Sequence, residues 1–113
     1  MSRIYKLLDA AAWRAAQAAG AFSGSAVDAR DGFIHFSDAA QAQETARLHF
    51  QGAADLVLLT VDADALGPGL QWEASRGGAL FPHLYGALPV AAVIAWRAVE
   101  LDADGVPQLG PLT

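Results

Sequence analysis

The chain has 113 residues, with 7 Lys+Arg against 12 Asp+Glu, a formal charge of −5, 54% hydrophobic and 17% charged residues. That balance excludes a disordered chain and argues against nucleic acid or an anionic membrane surface as the main partner. The lack of cysteine excludes disulfides, thiolate metal sites and cysteine nucleophiles.

The length suits one domain over residues 1–113, with a C-terminal turn and a short polar tail from about residue 102. No apolar h-region follows Met1–Lys6, because Leu7 and Leu8 give way to Asp9. The most apolar stretch, Leu88–Ala98, contains Arg97 and is too short to cross a bilayer. The expected setting is cytoplasmic.

Arg3–Leu8 reads as a short strand. Asp9 then serves as an N-cap, with Leu8 and Trp13 at the two positions of a hydrophobic staple. Ala10–Ala19 is a predicted helix stopped by Gly20, and Ala21–Gly32 reads as a loop. Phe33–Ser37 is a strand whose period of two puts Phe33, His35 and Ser37 on one face and Ile34 and Phe36 on the other. Asp38 with Gln41 resembles a capping box, so a helix is expected from about Ala39 to Phe50, with Ala42, Ala46 and Phe50 inward.

Leu56–Val61 is apolar on both faces apart from Thr60, the pattern of a central strand. Gly67-Pro68-Gly69 breaks the turn that follows, and Leu70–Ala74 is a further strand. Ser75–Pro89 reads as irregular, Val90–Leu101 as the last long strand, and Asp104-Gly105 as a turn. Strands outnumber helices and the two main helices come early. The expected class is α+β with a mixed or antiparallel sheet.

Two segments carry candidate chemistry. The first is Gly32-Phe33-Ile34-His35-Phe36-Ser37, where His35 and Ser37 share one face just before a helix N-terminus. Histidine both donates and accepts hydrogen bonds near neutral pH, which suits gripping a hydroxyl or an anionic group. The same pattern also fits a half-buried histidine satisfied by a backbone carbonyl, with Ser37 a helix cap. The second segment runs from Trp72-Glu73 through Arg76-Gly77-Gly78 to His83-Leu84-Tyr85. Here Glu73 can act as general base or oriented acceptor, Arg76 as an anion clamp, and Tyr85 as a stacking platform or acid. A purely structural alternative pairs Glu73 with Arg76 and packs His83 and Tyr85 onto the sheet.

Metal chemistry has little support. His35, His49 and His83 form no HExxH pattern. Asp62, Asp64, Gly67 and Glu73 match four positions of a calcium loop, but Leu66 offers no side-chain oxygen at a fifth and the flanks read as strands. No GxSxG elbow, GxGxxG or Walker loop is present.

The segments Ile4-Tyr5-Lys6, Gly32 to Ser37 with Gln41, Trp72-Glu73, and Phe81-Pro82-His83-Leu84-Tyr85-Gly86 with Pro89 resemble a small bacterial family, domain of unknown function 952. The resemblance runs from Ile4 to about Val99. More distantly, the chain is similar to the ADP-ribosyltransferase superfamily, which binds NAD in a cleft between split sheets. That similarity implies a first motif at Tyr5-Lys6, a second from Gly32-Phe33 to Ser37, and a third at Glu73 or His83–Tyr85. The chain departs from that pattern: Lys6 replaces the usual histidine, and His35 stands where an aromatic is common.

The resemblance implies a site for NAD or another nucleotide, with Glu73, His35 and His83 as catalytic groups. Tyr5, Lys6, Ser37, Trp72, Arg76 and Tyr85 would then contact the ligand. His35 and Ser37 would hold a ribose or phosphate, and Tyr85 or Trp72 would stack a ring. Glu73 would orient a ribose hydroxyl or stabilise an oxocarbenium-like centre. A non-catalytic module for a small molecule or a partner protein is the alternative, as is a purely structural role.

Overall fold

The computed structural model describes residues 2–112, apart from the side chain of Arg76. Strand β1 (Arg3–Asp9) leads into helix α1 (Ala10–Ala19). Asp9 caps that helix by accepting from the Ala12 N–H at 2.7 Å. Gly20 ends it at φ 86°, a left-handed conformation that a side chain would strain. Leu8 and Trp13 both lie in the core, as a staple requires.

Residues 21–32 are more ordered than the sequence suggests. They hold β2 (Ala21–Phe22) and a one-and-a-half-turn helix, α2 (Ala26–Asp31). A reciprocal capping box starts α2: the Asp28 N–H donates to Ser25 Oγ, and the Ser25 N–H to Asp28 Oδ2. The strand expected over 33–37 shrinks to β3 (Ile34–His35), and the next helix to α3 (Ala42–His49). Asp38 and Gln41 do exchange two hydrogen bonds, of 3.0 and 2.8 Å, but around a turn that precedes α3.

Strand β4 (Leu56–Asp62) and a 3-10 segment lead to β5 (Leu70–Ala74). The stretch read as irregular contains β6 (Leu80–Leu84) and β7 (Leu88–Pro89), and β8 (Val93–Val99) closes the strand set. Pro82 masks β6 in the sequence, because proline is usually confined to edges. Pro82 also explains why β3 is short. Its carbonyl accepts from the Phe36 N–H at 3.0 Å, but it has no N–H to return, so pairing ends at His35.

The strands form antiparallel sheets in the orders β1-β4-β8 and β3-β6-β5, with β2 paired to β7. The two three-stranded sheets meet at a bridge between Tyr5 and Ser37. The fold is α+β, as expected. Strand β4 is apolar on both faces because both are covered. Val57, Leu59 and Val61 pack with Trp13, Phe22 and Leu88. Leu56 and Leu58 pack with Ala42 and Ala46 of α3 and with Leu109.

Leu109 corrects the expected polar tail: its side chain is 1% exposed. The Gln43 amide brackets it, donating to the Pro107 carbonyl at 2.9 Å and accepting from the Leu109 N–H at 3.2 Å. Arg97 donates to the Leu109 carbonyl.

Candidate functional site

In the β3-β6-β5 sheet His35 pairs with His83, and His83 pairs with Gln71. Alternation then divides the side chains. Ile34 and Leu84 enter the core with Leu70 against them, while Phe33, His35, Glu73, His83 and Tyr85 share the opposite face. The hairpin that brings Glu73 back to His83 turns at Gly77 and Gly78, whose φ values are 66° and 82°.

Glu73 is the hub of this face. Its Oε1 lies 2.8 Å from His83 Nδ1 and accepts from the Tyr85 hydroxyl at 2.7 Å. An ionised carboxylate only accepts, so His83 Nδ1 carries the hydrogen. Tyr85 and then His83 hold the Glu73 carboxyl below its usual range. The same bond to Glu73 raises the Tyr85 phenol. Oε2 of Glu73 takes no hydrogen bond from any described residue. His83 is buried, and Phe33 stacks on its ring at 4.0 Å with an interplanar angle of 24°. The rings of His35 and His83 are 5.7 Å apart, edge to face.

His35 is held by carboxylates at both nitrogens: Nδ1 lies 2.6 Å from Asp28 Oδ1 and Nε2 lies 2.8 Å from Asp31 Oδ2. The His35 N–H also donates to Asp28 Oδ1, at 3.1 Å. Below it, buried Lys6 donates to the His35 carbonyl at 2.8 Å and pairs with Asp28 Oδ2 at 3.3 Å. Burial alone would raise the Asp28 carboxyl. The Lys6 ammonium, the Ser25 N–H and His35 outweigh it and hold the group below the usual range. Burial lowers Lys6 against the opposing pull of Asp28. Asp31, bonded to Arg30 and His35, is also lowered.

Of the residues singled out in the sequence, His35, Glu73, His83 and Tyr85 therefore converge, with Lys6 beneath them. Tyr5 is not brought to this face: it points to the other side of β1 and is buried with Leu7 and Ala42. Buried Ser37 donates to Thr45 Oγ1 at 3.1 Å, tying its segment to α3. Trp72 alternates with Glu73 along β5 and so lies on the reverse face, 44% exposed. The Arg76 side chain lies outside the described residues. Asp28, Asp31 and Phe33 join the cluster without having been singled out as site residues. The Ser25-x-x-Asp28 capping pattern was the one local signal for Asp28.

Among the described residues no group of three or more His, Cys, Asp or Glu could hold a metal ion. The side chains of the calcium-loop pattern are engaged elsewhere: Asp62 caps the Asp64 N–H at 3.0 Å, and Asp64 accepts from the Ser2 N–H at 3.1 Å. No helix among the described residues is long and apolar enough to cross a membrane.

Residues 7–96 match the model of a family described as "Protein of unknown function (DUF952)". No curated protein matches the chain. The chain is similar to the crystal structure of protein CC0527 from Caulobacter crescentus, with a TM-score of 0.94 and 60% identity over 96% of this chain and 95% of that one. It is similar also to the solution NMR structure of CC0527, with a TM-score of 0.86 and 61% identity over 97% and 95% of the two chains.

Proposed function

Because the chain belongs to this family of unknown function, we propose its function from geometry: the Glu73 face binds the hydroxyl-bearing part of a small ligand such as a nucleoside. One observation carries this reading. Oε1 of Glu73 is fixed by His83 and Tyr85, which leaves Oε2 oriented to accept from a ligand hydroxyl. A carboxylate held below its usual range is ionised at neutral pH and is a weak base. Its role is to accept a hydrogen bond or stabilise developing positive charge, rather than to abstract a proton. The exposed Tyr85 ring beside it supplies a surface for a base or sugar face.

The distant similarity to ADP-ribosyltransferases implies NAD. The charges around this face favour a ribose over a diphosphate. Asp28, Asp31 and Glu73 place three carboxylates in this cluster, and the neighbouring cations Lys6 and Arg30 already pair with Asp28 and Asp31. A diphosphate here would face repulsion without a free clamp among the described side chains. The reading therefore favours an uncharged, hydroxyl-rich ligand.

Calorimetric titration with adenosine and with NAD tests this. The expected result is measurable adenosine binding, weaker NAD binding, and a loss of adenosine affinity of roughly tenfold in Glu73→Gln. Absence of heat with either ligand at millimolar concentration, or equal affinity of Glu73→Gln and wild type, would overturn it.

A further inference from the structure

On the other sheet, we propose that the outer edge of β8 docks a second copy of this chain, joining two β1-β4-β8 sheets into one. Strand β8 ends the order β1-β4-β8 and pairs only with β4. A strand packed on one face alternates between covered and exposed residues. In β8 the five residues Ile94–Ala98 are exposed in succession, so neither face is fully covered. Ile94 is 43% and Trp96 50% exposed. No described residue outside β4 bonds a backbone group of Ile94–Ala98. Outward N–H and C=O groups beside apolar side chains form a template for a further strand. The usual defences of such an edge are thin. Val93–Val99 holds no proline and no lysine. Its one bulge has Ile94 as the extra residue, since Thr60 faces Ala95 and Val61 faces Val93, and it leaves Ala95–Val99 regular.

Charge and register select a second copy as the occupant. The chain has 12 acidic residues and a net charge of −5, yet Val93–Val99 contains none of them, so two copies meet here without opposing carboxylates. Arg97, the one charge of the strand, lies opposite Leu58 on the α3 face, where it donates to the Leu109 carbonyl. Antiparallel pairing about a two-fold axis is self-complementary, each residue facing its counterpart across the axis. Centred on Trp96, it sets Trp96 against Trp96, Ile94 against Ala98 and Arg97 against Ala95, so no cation faces another. Centred on Arg97, it would oppose like charges. Trp96 already packs edge to face on Trp13, with 6.0 Å between centroids, and the paired copies would extend that aromatic cluster across the axis. A strip seven residues long spans about 23 Å and buries less than the roughly 800 Å² per partner of a standard interface, so the dimer is a weak one, with a dissociation constant on the order of 100 μM.

Sedimentation velocity from about 20 μM to about 1 mM brackets that constant and tests the association. The mass should rise from the 11.8 kDa of one chain toward twice that value. Ile94→Lys and Ala98→Lys each place a charge on the edge at an exposed position. Each should weaken association about tenfold or more and leave the thermal melt unchanged. Trp72→Lys, at the exposed tryptophan of the other sheet, should leave association as it is. Ile94 and Ala98 lie about 13 Å apart along one strand, so a methyl NOE between them in a mixed isotope-labelled sample can only cross between copies, and it should appear. A monomer at every concentration, which would leave the edge to a different protein, would overturn the proposal. So would association that survives both edge lysines, association lost in Trp72→Lys instead, or a dimer without the Ile94–Ala98 contact.

Discussion

Glu73 and His83 are ten positions apart in the chain, yet His83 Nδ1 lies 2.8 Å from Glu73 Oε1. They meet on the diagonal of the β5–β6 hairpin, and Tyr85 reaches the same oxygen from two residues further along. One carboxylate oxygen is thus spent on internal order while the other takes no hydrogen bond from a described residue. This division of labour generates the first expectation.

Tyr85→Phe removes the donor that contributes most to lowering Glu73. The Glu73 carboxyl should then titrate at higher pH, closer to its ordinary range, while the His83 bond remains. Carboxyl carbon shifts followed through an acid titration measure this. An unmoved or lowered midpoint would show that Tyr85 does not hold Glu73.

The buried pair of Lys6 and Asp28 contributes to the acid side of the stability profile. Asp28 has a depressed folded-state pKa. Its contribution is therefore present above the unfolded value near 3.8 and is lost as pH falls through the lower folded value. Asp28→Asn should flatten that acid slope and cost about 3–5 kcal/mol at neutral pH, because it strands the Lys6 ammonium. Adding Lys6→Met should recover part of the loss. Denaturant melts of the two singles and the double against pH read both effects, and a double variant less stable than Asp28→Asn would refute the pairing.

Two glycines separate backbone strain from crowding. Gly24, at φ +113, would place a Cβ 3.0 Å from Asp28 Cβ, whereas a Cβ on Gly32, at φ +86, meets nothing within 4 Å. Gly32→Ala should cost about 1 kcal/mol from strain alone. Gly24→Ala should cost more, about 2–3 kcal/mol, and should move the His35 amide resonance by displacing Asp28. Equal costs in thermal melts would show that the close approach to Asp28 is relieved by relaxation.

The C-terminal segment is expected to be part of the core. Leu109→Ala should lower stability by about 2–5 kcal/mol, as for other fully buried leucines. A change below about 0.5 kcal/mol in denaturant melts, the size typical of surface positions, would show the segment to be loosely attached.

What the sequence discloses follows from how local each determinant is. Strand β1, helix α1, and strands β4 and β5 are carried by short-range signals, namely Asp9 and Gly20 at the ends of α1 and the two-sided apolar run of β4. Strand β6 is hidden because Pro82 argues locally against a strand, and only its partners on both sides make it one. Helix α2 is six residues long, too short for periodicity to reveal, and its Ser25–Asp28 box is the sole local sign. Leu109 looks like tail because its anchor, Gln43, is 66 positions away.

The site residues divide in the same way between local and long-range determinants. His35, Glu73, His83 and Tyr85 stand out by residue type, and the sheet register brings them together. Trp72 stands out equally, but the alternation of β5 sends it to the reverse face once Glu73 is assigned to this one. Asp28 and Asp31 become visible as partners of His35 only when α2 is seen to pack beside β3.

The most direct measurement is a backbone and side-chain shift map of the protein titrated with adenosine. Perturbations should gather at Phe33, His35, Glu73 and Tyr85 and leave Tyr5 and Trp72 unmoved. A map in which those four residues stay still at saturating ligand, or in which the shifts fall on Tyr5 and Trp72 instead, would contradict the assignment of ligand binding to the Glu73 face.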